Sequence, residues 1–152
     1  MDQGEILIRW ALGPDDVRGA FAVRERVFCD EQGVPREEEI DERDEHALHL
    51  VALDPESRRV IGTLRLLCDA DSAKVGRVAV EREWRRRGIA ARMLERALAQ
   101  ARERGCLRVR LASQLEARSV YERAGFAVES EPFEEAGIEH VWMGLRLTPA
   151  AN

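Results

Sequence analysis

The chain contains 152 residues, of which 45% are hydrophobic and 35% are charged, and it carries a formal net charge of −5. This length predicts one domain covering residues 1–152, with enough apolar side chains for a sizeable core. No run approaches eighteen apolar residues, and no long apolar stretch follows the acidic N-terminus. We therefore expect neither a membrane partner nor a signal peptide.

The cysteines indicate the chemical environment of the protein. The chain has three cysteines, an odd number, at Cys29, Cys68 and Cys106, and their spacing is not that of metal ligands. They favour reduced thiols in a cytoplasmic protein over a disulfide framework, and they predict no metal site. A cysteine nucleophile is also unexpected, because no His or Asn motif accompanies Cys29 or Cys106.

Charge is distributed unevenly along the chain. Nine acidic residues fall within residues 30–45, and eight arginines fall within residues 82–104. Arginine clusters occur in nucleic-acid-binding proteins, but this chain is acidic overall and does not interleave aromatic with basic residues. We therefore expect no nucleic-acid partner.

The first half of the chain predicts antiparallel strands behind two helices. Pro14 begins a helix whose apolar spacing continues to about Phe28, and residues 35–40 form a short acidic second helix. β-Branched and apolar runs, separated by turn residues, predict strands at residues 5–12, 48–53, 60–67 and 74–80.

The second half alternates helices and strands. The apolar stripe of residues 88–104 predicts a long core-packed helix, which ends at Gly105. Such a crossover helix makes strands 74–80 and 107–112 parallel, with a right-handed connection. The other predicted elements are a short helix at 116–124, strands at 126–129 and 140–147, and a loop at 131–137.

The junction between strand 74–80 and the long helix has the features of an anion site. A helix start leaves backbone N–H groups without internal partners, at the positive end of the helix dipole. Gly88 allows a ligand to approach the backbone closely, and three arginines precede it. These features favour a phosphate or pyrophosphate, but a solvated arginine-rich loop has the same pattern. The residues alone leave both interpretations open.

Two partial motifs occur at this junction and after the next strand. The first is Arg77-Val78-Ala79-Val80 followed by Arg85-x-x-Gly88-x-Ala90, and the second is Val120-Tyr121-Glu122-Arg123-Ala124-Gly125-Phe126. Their order and separation resemble the GNAT superfamily of acyl-CoA-dependent N-acetyltransferases. A third segment, Arg24-x-x-Val27-Phe28-x-x-Glu31-Gln32-Gly33-Val34-Pro35 with Gly137-Ile138-x-His140 near the end, is similar to the ElaA-like branch.

The resemblance implies an α/β (α+β) fold of the GNAT type. Its twisted mixed sheet would have six to seven strands, helices on both faces, and a split between strands 74–80 and 107–112. Acetyl-CoA would lie in the split as a co-substrate, with its amide-rich arm beside the first strand and a bulge directing one N–H to the thioester carbonyl. The cofactor-binding residues implied are Val78, Ala79, Val80, Arg85, Arg86, Arg87, Gly88, Ile89, Ala90 and Gln114, the last in place of a commoner asparagine.

The resemblance also implies catalytic residues. Tyr121 stands where the superfamily's tyrosine protonates the departing CoA thiolate, although the residues alone favour a core tyrosine. A general base must take a proton from the amine, and we expect Glu31 first and His140 second in this role. Asp44 and His140 are candidates for contacts with the acceptor. We expect His49 to be a buried structural histidine.

The resulting hypothesis is an enzyme that moves the acetyl group of acetyl-CoA directly to a primary amine through a ternary complex. The acceptor, a small molecule or a protein, is not identified. The acidic segment 30–45 would attract a cationic amine, or it would simply be a solvated helix and loop. A non-catalytic acyl-CoA sensor is the alternative function. The oligomeric state stays open, with a homodimer among the options.

Overall fold

The computed structural model describes residues 5–148, in which a mixed sheet carries helices on both faces. These residues form eight strands: β1 (Leu7–Trp10), β2 (Leu48–Leu53), β3 (Val60–Asp69), β4 (Ser72–Val80), β5 (Arg108–Gln114), β6 (Ala127–Val128), β7 (Phe133–Glu135) and β8 (Ile138–Arg146). The α-helices are α1 (Pro14–Arg24), α2 (Arg36–Glu39), α3 (Ile89–Glu103) and α4 (Arg118–Arg123). A π-helix continues α1 over Glu25–Glu31, and 3-10 turns cover Glu42–Glu45, Arg82–Trp84 and Leu115–Ala117.

The strand order is β1-β2-β3-β4-β5-β8-β6, with β7 paired to β8. Neighbouring strands are antiparallel except β4 and β5, which run parallel because α3 crosses over between them. The predicted α/β class and the predicted parallel pair are therefore confirmed.

The sheet has one strand more than the six to seven predicted. The predicted loop at 131–137 contains β7, which forms a hairpin with β8 through Ala136 and Gly137, both at positive φ (52° and 78°). The strand has three residues, two of them glutamates, so the sequence offers almost no apolar alternation to recognise. Phe133 secures it by stacking on Trp142 of β8, with 5.7 Å between the ring centres.

Side chains of the sheet are buried on both faces, because successive residues of a strand point to opposite sides. Leu50 and Ala52 of β2 pack in the cluster that contains α3, whereas Val51 and Leu53 pack in the cluster that contains α1. The buried stripe of α3 consists of Ile89, Met93, Leu94, Ala97, Leu98 and Ala101. Helices therefore cover both faces, as predicted.

The strands β4 and β5 separate after their first paired residues. Ser72 to Val75 pair with Arg108 to Leu111, and within the described residues no further pairing joins the two strands. The strand β4 nevertheless continues to Val80. The carboxyl-terminal halves of the two strands thus border a gap, at the predicted position of the split.

Candidate active site

A cleft of about 620 Å³ lies at the gap between β4 and β5. One wall contains Val78 and Val80 of β4, and the opposite wall contains Leu111 and Ala112 of β5. Residues of the π-helix, of α2, of α4 and of the β7–β8 hairpin are among the others that line it. A cleft of this size is typical of sites that hold a cofactor or a small molecule.

The backbone of β4 is bulged where it borders the cleft. Arg77 and Val78 stand opposite the single residue Leu64 of β3, and Arg77 has a φ of 53°. Because a left-handed backbone costs a non-glycine residue about 1–2 kcal/mol, other contacts must hold it. The Arg77 Nε supplies them, since it lies 3.0 Å from the Glu39 carbonyl oxygen and 2.9 Å from a Glu39 carboxylate oxygen.

The loop between β4 and α3 presents its backbone. Gly88 is the N-cap of α3 with a φ of 76°, and no side chain of the described residues caps this helix. Arg86 also lies at positive φ, at 64°. The first helical hydrogen bond runs from the Arg92 N–H to the Gly88 carbonyl, so the N–H groups before it have no acceptor within the helix.

Two of the three arginine side chains in this loop contact the protein itself. Arg85 donates from Nε to the Val80 carbonyl oxygen at 2.8 Å, and the Arg87 guanidinium lies 4.7 Å above the Trp84 ring. Arg86 is exposed. These contacts fix the course of the loop, whose backbone N–H groups at the helix start have a geometry suited to an anion.

Tyr121 lies in α4, lines the cleft and is 8% exposed. Its ring packs edge-on against Phe126, with 6.1 Å between the centres. Burial raises the pKa of Tyr121 to about 12, so the hydroxyl keeps its proton at neutral pH. A buried and protonated phenol beside the gap is chemically suited to donate a hydrogen bond or a proton.

Glu31, at the end of the π-helix, is ion-paired. Its carboxylate oxygens lie 2.8 Å and 3.0 Å from the Arg85 guanidinium, and one of them is 3.6 Å from Arg82. The hydrogen bonds from Arg85 lower the pKa of Glu31. Arg85 lines the cleft, whereas Glu31 is not among the residues that line it.

His140 lies in β8 opposite Gln114, lines the cleft and is 7% exposed. Its Nδ1 is 2.7 Å from the Ile138 carbonyl oxygen. Because a carbonyl oxygen only accepts hydrogen bonds, neutral His140 carries its proton on Nδ1 and leaves Nε2 as an acceptor. Gln114 donates from its side-chain amide to Gln32 at 2.9 Å, which joins the end of β5 to the loop after the π-helix.

A buried ionic network lies beneath one wall of the cleft. Arg24, 1% exposed, lies 2.9 Å from Glu39 and 2.7 Å from Asp44. Arg65 lies 2.7 Å from Asp41 and 3.0 Å from Asp44. Burial opposes the charge of Asp44, but hydrogen bonds from Arg24 and Arg65 outweigh it and lower the pKa of Asp44 to about 2. Asp44 is thus charged at neutral pH as part of the network.

These ion pairs change the interpretation of the acidic segment 30–45. Glu39, Asp41 and Asp44 each bind arginine side chains, and so does Glu31. Much of the negative charge that would attract a cationic amine is therefore neutralised within the fold. The segment is not a simple solvated loop either, because Glu39 and Asp44 are buried.

Sequence reasoning missed the basic half of this network. Arg24 stands on the apolar stripe of the first helix, and Arg65 stands inside an apolar strand. A charged side chain is buried only when it has a partner, so an arginine on a buried face predicts a carboxylate nearby. The positions of Arg24 and Arg65 on apolar faces therefore predict that both pair with carboxylates, and the acidic segment 30–45 supplies them.

The structure separates the predicted site residues into two groups. Those that line the cleft are Val78, Ala79, Val80, Arg85, Gln114, Tyr121 and His140. Those that do not line it are Glu31, Asp44, Arg86, Arg87, Gly88, Ile89 and Ala90. His49 is buried, and its Nε2 lies 2.9 Å from the Asp44 carbonyl oxygen, as expected for a structural histidine.

Two further features concern metals and membranes. Within residues 5–148, no group of three or more His, Cys, Asp or Glu side chains is placed to hold a metal ion. In that same part of the chain, no helix combines the length and the apolar character that crossing a bilayer requires.

Comparison with known proteins identifies the family. The sequence profile of the GNAT acetyltransferase domain matches residues 15–147. The chain is also 35% identical over 137 residues to YjcF of Bacillus subtilis, an uncharacterized N-acetyltransferase, covering 88% of this chain and 94% of that protein. The chain therefore belongs to the GNAT acetyltransferase family, and it is an acetyl-CoA-dependent acetyltransferase.

Solved structures agree with this assignment. An acyl-CoA N-acyltransferase from Pseudomonas aeruginosa is similar with a TM-score of 0.81 at 26% identity, covering 92% of this chain and 99% of that one. ElaA of Escherichia coli has the same TM-score and coverage at 22% identity, so that likeness concerns the fold. The predicted superfamily is confirmed.

Proposed function

We propose that this protein acetylates a primary amine by direct transfer from acetyl-CoA within a ternary complex. The observation that carries the proposal is that Tyr121 and His140 line one cleft at the point where β4 and β5 separate. Holding both reactants in one cleft makes their reaction effectively unimolecular. Among the described residues no cysteine lines this cleft, which disfavours a route through a thiol intermediate.

The residues around the gap fit acetyl-CoA, which supplies the acetyl group as an activated thioester. The N–H groups of residues 86–90 would bind the pyrophosphate at the positive end of the α3 dipole, since the Arg85 N–H already donates to the Arg82 carbonyl oxygen. The edge of β4 at residues 78–80, which β5 does not cover, would bind the amide-rich arm as an added strand does. An N–H at the Arg77–Val78 bulge would bind the thioester oxygen as negative charge develops there. Gln114 would contact the arm from the other side of the gap.

The geometry favours His140 as the general base. Its Nε2 is an acceptor in the neutral ring, and the ring lines the cleft. It would take the proton that the amine loses as the nitrogen–carbon bond forms. Glu31 is the second candidate, since pairing with Arg85 lowers its pKa and thereby weakens it as a base.

Tyr121 would act on the leaving group. As the carbon–sulfur bond breaks, the sulfur becomes negative, and the buried hydroxyl of Tyr121 would donate a hydrogen bond and then its proton to it. The proton balance closes when solvent restores the tyrosine proton and removes the proton from His140.

Calorimetric titration with acetyl-CoA tests the first half of the proposal. Saturable binding is expected, and absence of binding at millimolar ligand would overturn it. The second half is tested by the release of CoA thiol in the presence of a panel of primary amines. Binding without amine-dependent release would favour the alternative, a non-catalytic acyl-CoA sensor.

A further inference from the structure

Lys74 lines the cleft on the face of the sheet opposite to α3. Its neighbours in β4, Ala73 and Val75, are buried in the cluster that contains α3, and successive strand residues point to opposite faces. Tyr121 belongs to that same cluster. The cleft therefore reaches both faces through the gap, with Lys74 on one side and Tyr121 on the other.

Lys74 is a half-buried cation without a matching anion. Among residues 5–148 no carboxylate forms an ion pair with it, and its Nζ lies 5.1 Å above the centre of the Trp142 ring. Burial and the nearby Arg43 lower the pKa of Lys74, and attraction to Glu135 offsets part of this shift. Arg65 and Arg77 also lie nearby, but carboxylates already neutralise both of them.

The other unpaired charges of the cleft lie at its rim. Glu38, Glu135 and Arg43 line the cleft and are exposed, so water and salt screen them. Lys74 is only half exposed, and its field inside the cleft is screened less. Lys74 is therefore the one charged side chain in the interior of the cleft without an ion pair among the described residues, and the Glu135 that attracts it is exposed at the rim.

We propose that the acceptor amine also carries a carboxylate, as an amino acid does, and that Lys74 binds this carboxylate. The inference rests on the proposed function and names its substrate class. The amine enters on the Lys74 face, so its carboxylate meets Lys74 while the sulfur leaves toward Tyr121. A carboxylate fits better than a phosphate, because its single negative charge matches the single charge of Lys74, whereas a phosphate monoester carries about −1.5 to −2.

Matched acceptors test this inference directly. Each set consists of an amino acid, its amide and its decarboxylated amine, and the assay follows the release of CoA thiol. We expect kcat/KM to favour the amino acid by about 10- to 100-fold, the effect of one hydrogen bond to a charged group. Preference for the amide or the decarboxylated amine, or for O-phosphoethanolamine, would overturn the inference.

Variants assign the preference to Lys74. Lys74→Met should remove it by raising KM for the amino acid alone, and Lys74→Arg should retain most of it, since the charge is kept. Equal losses for all three acceptors in Lys74→Met would contradict an anchoring role. A collapse of kcat in Lys74→Arg would indicate a proton-transferring lysine and would contradict it as well.

Arg110 provides the matched control. Its guanidinium lies 4.7 Å above the same Trp142 ring, but Arg110 does not line the cleft, and it shares Glu129 with Arg108. Arg110→Met should therefore keep the preference, and its loss there would contradict the assignment to Lys74. Calorimetry separates the two failures. If the protein does not bind acetyl-CoA, the proposed function is overturned. If it binds acetyl-CoA but neither binds nor acetylates any amino acid, only this inference is overturned.

Discussion

Replacing Tyr121 by phenylalanine removes one hydroxyl group and leaves the buried ring in place. The ring keeps its edge-on contact with Phe126, and burial is the only cause that shifts the pKa of the phenol. Interactions with other protein groups therefore contribute little to the state of the hydroxyl. We expect Tyr121→Phe to change the free energy of unfolding by less than about 1 kcal/mol and to leave acetyl-CoA affinity unchanged.

The expected effect on kcat follows from the raised pKa. A thiol in water has a pKa of about 8.5, so full transfer of a proton from a phenol of pKa about 12 to its thiolate would cost about 5 kcal/mol. Tyr121 therefore acts first as a hydrogen-bond donor, and transfer is completed because burial raises the thiolate pKa too. One such bond to a developing charge contributes about 3–4 kcal/mol, which corresponds to a 10²- to 10³-fold loss of kcat.

Three measurements decide this prediction. Release of CoA thiol gives kcat, calorimetry gives acetyl-CoA affinity, and thermal unfolding shows whether the fold is intact. A Tyr121→Phe protein that binds acetyl-CoA normally and retains kcat within about threefold of the wild type would refute the role of the hydroxyl.

Three other predictions address the loop, the network and the base. Gly88→Val should weaken acetyl-CoA binding at least about tenfold by straining φ at the start of α3. Gly105→Val, equally strained at a φ of 83° but at the opposite end of α3, should lower stability without changing affinity. The free energy of unfolding should fall as the pH drops from about 4 to 2, because the folded pKa of Asp44 lies below its ordinary value of 3.8. Urea unfolding should show that this group contributes a loss of about 2 kcal/mol. His140→Gln should lower kcat by about 10² and Glu31→Gln much less, and the reverse order in steady-state assays would identify Glu31 as the base.

The elements with strong periodicity were predictable from the sequence. The stripe of α3 and the apolar run of β2 each bury a face against a large cluster, so the local pattern and the tertiary packing agree. The strand β7 was not predictable, because Phe133 is its one apolar residue and stacks on partners contributed by β8. Long-range stacking of this kind leaves no periodic signal in a three-residue segment.

The parts of the candidate site that are formed by backbone were easier to predict than the parts that depend on contacts between distant side chains. The glycine turn before α3 follows from local sequence, whereas the bulge in β4 was implied only by the family resemblance and depends on the contact of Arg77 with the distant Glu39. The pairing of Glu31 with Arg85 joins residues 54 positions apart, and nothing local selects one arginine from the three in that loop. The lack of an ion pair at Lys74 was not predictable for the same reason, since it depends on which neighbouring charged residues already pair with one another.

The acidic segment 30–45 gains a structural role from these contacts. Arg77 is held at a φ of 53° by Glu39, and Glu39 is in turn held by Arg24 on the first helix. Buried ion pairs add little net stability, because desolvation offsets their attraction, but removal of one partner is costly. The network therefore serves mainly to fix one conformation. The conformation that it fixes is the bulge beside the gap, where a shift of the backbone would misdirect the N–H proposed to bind the thioester oxygen.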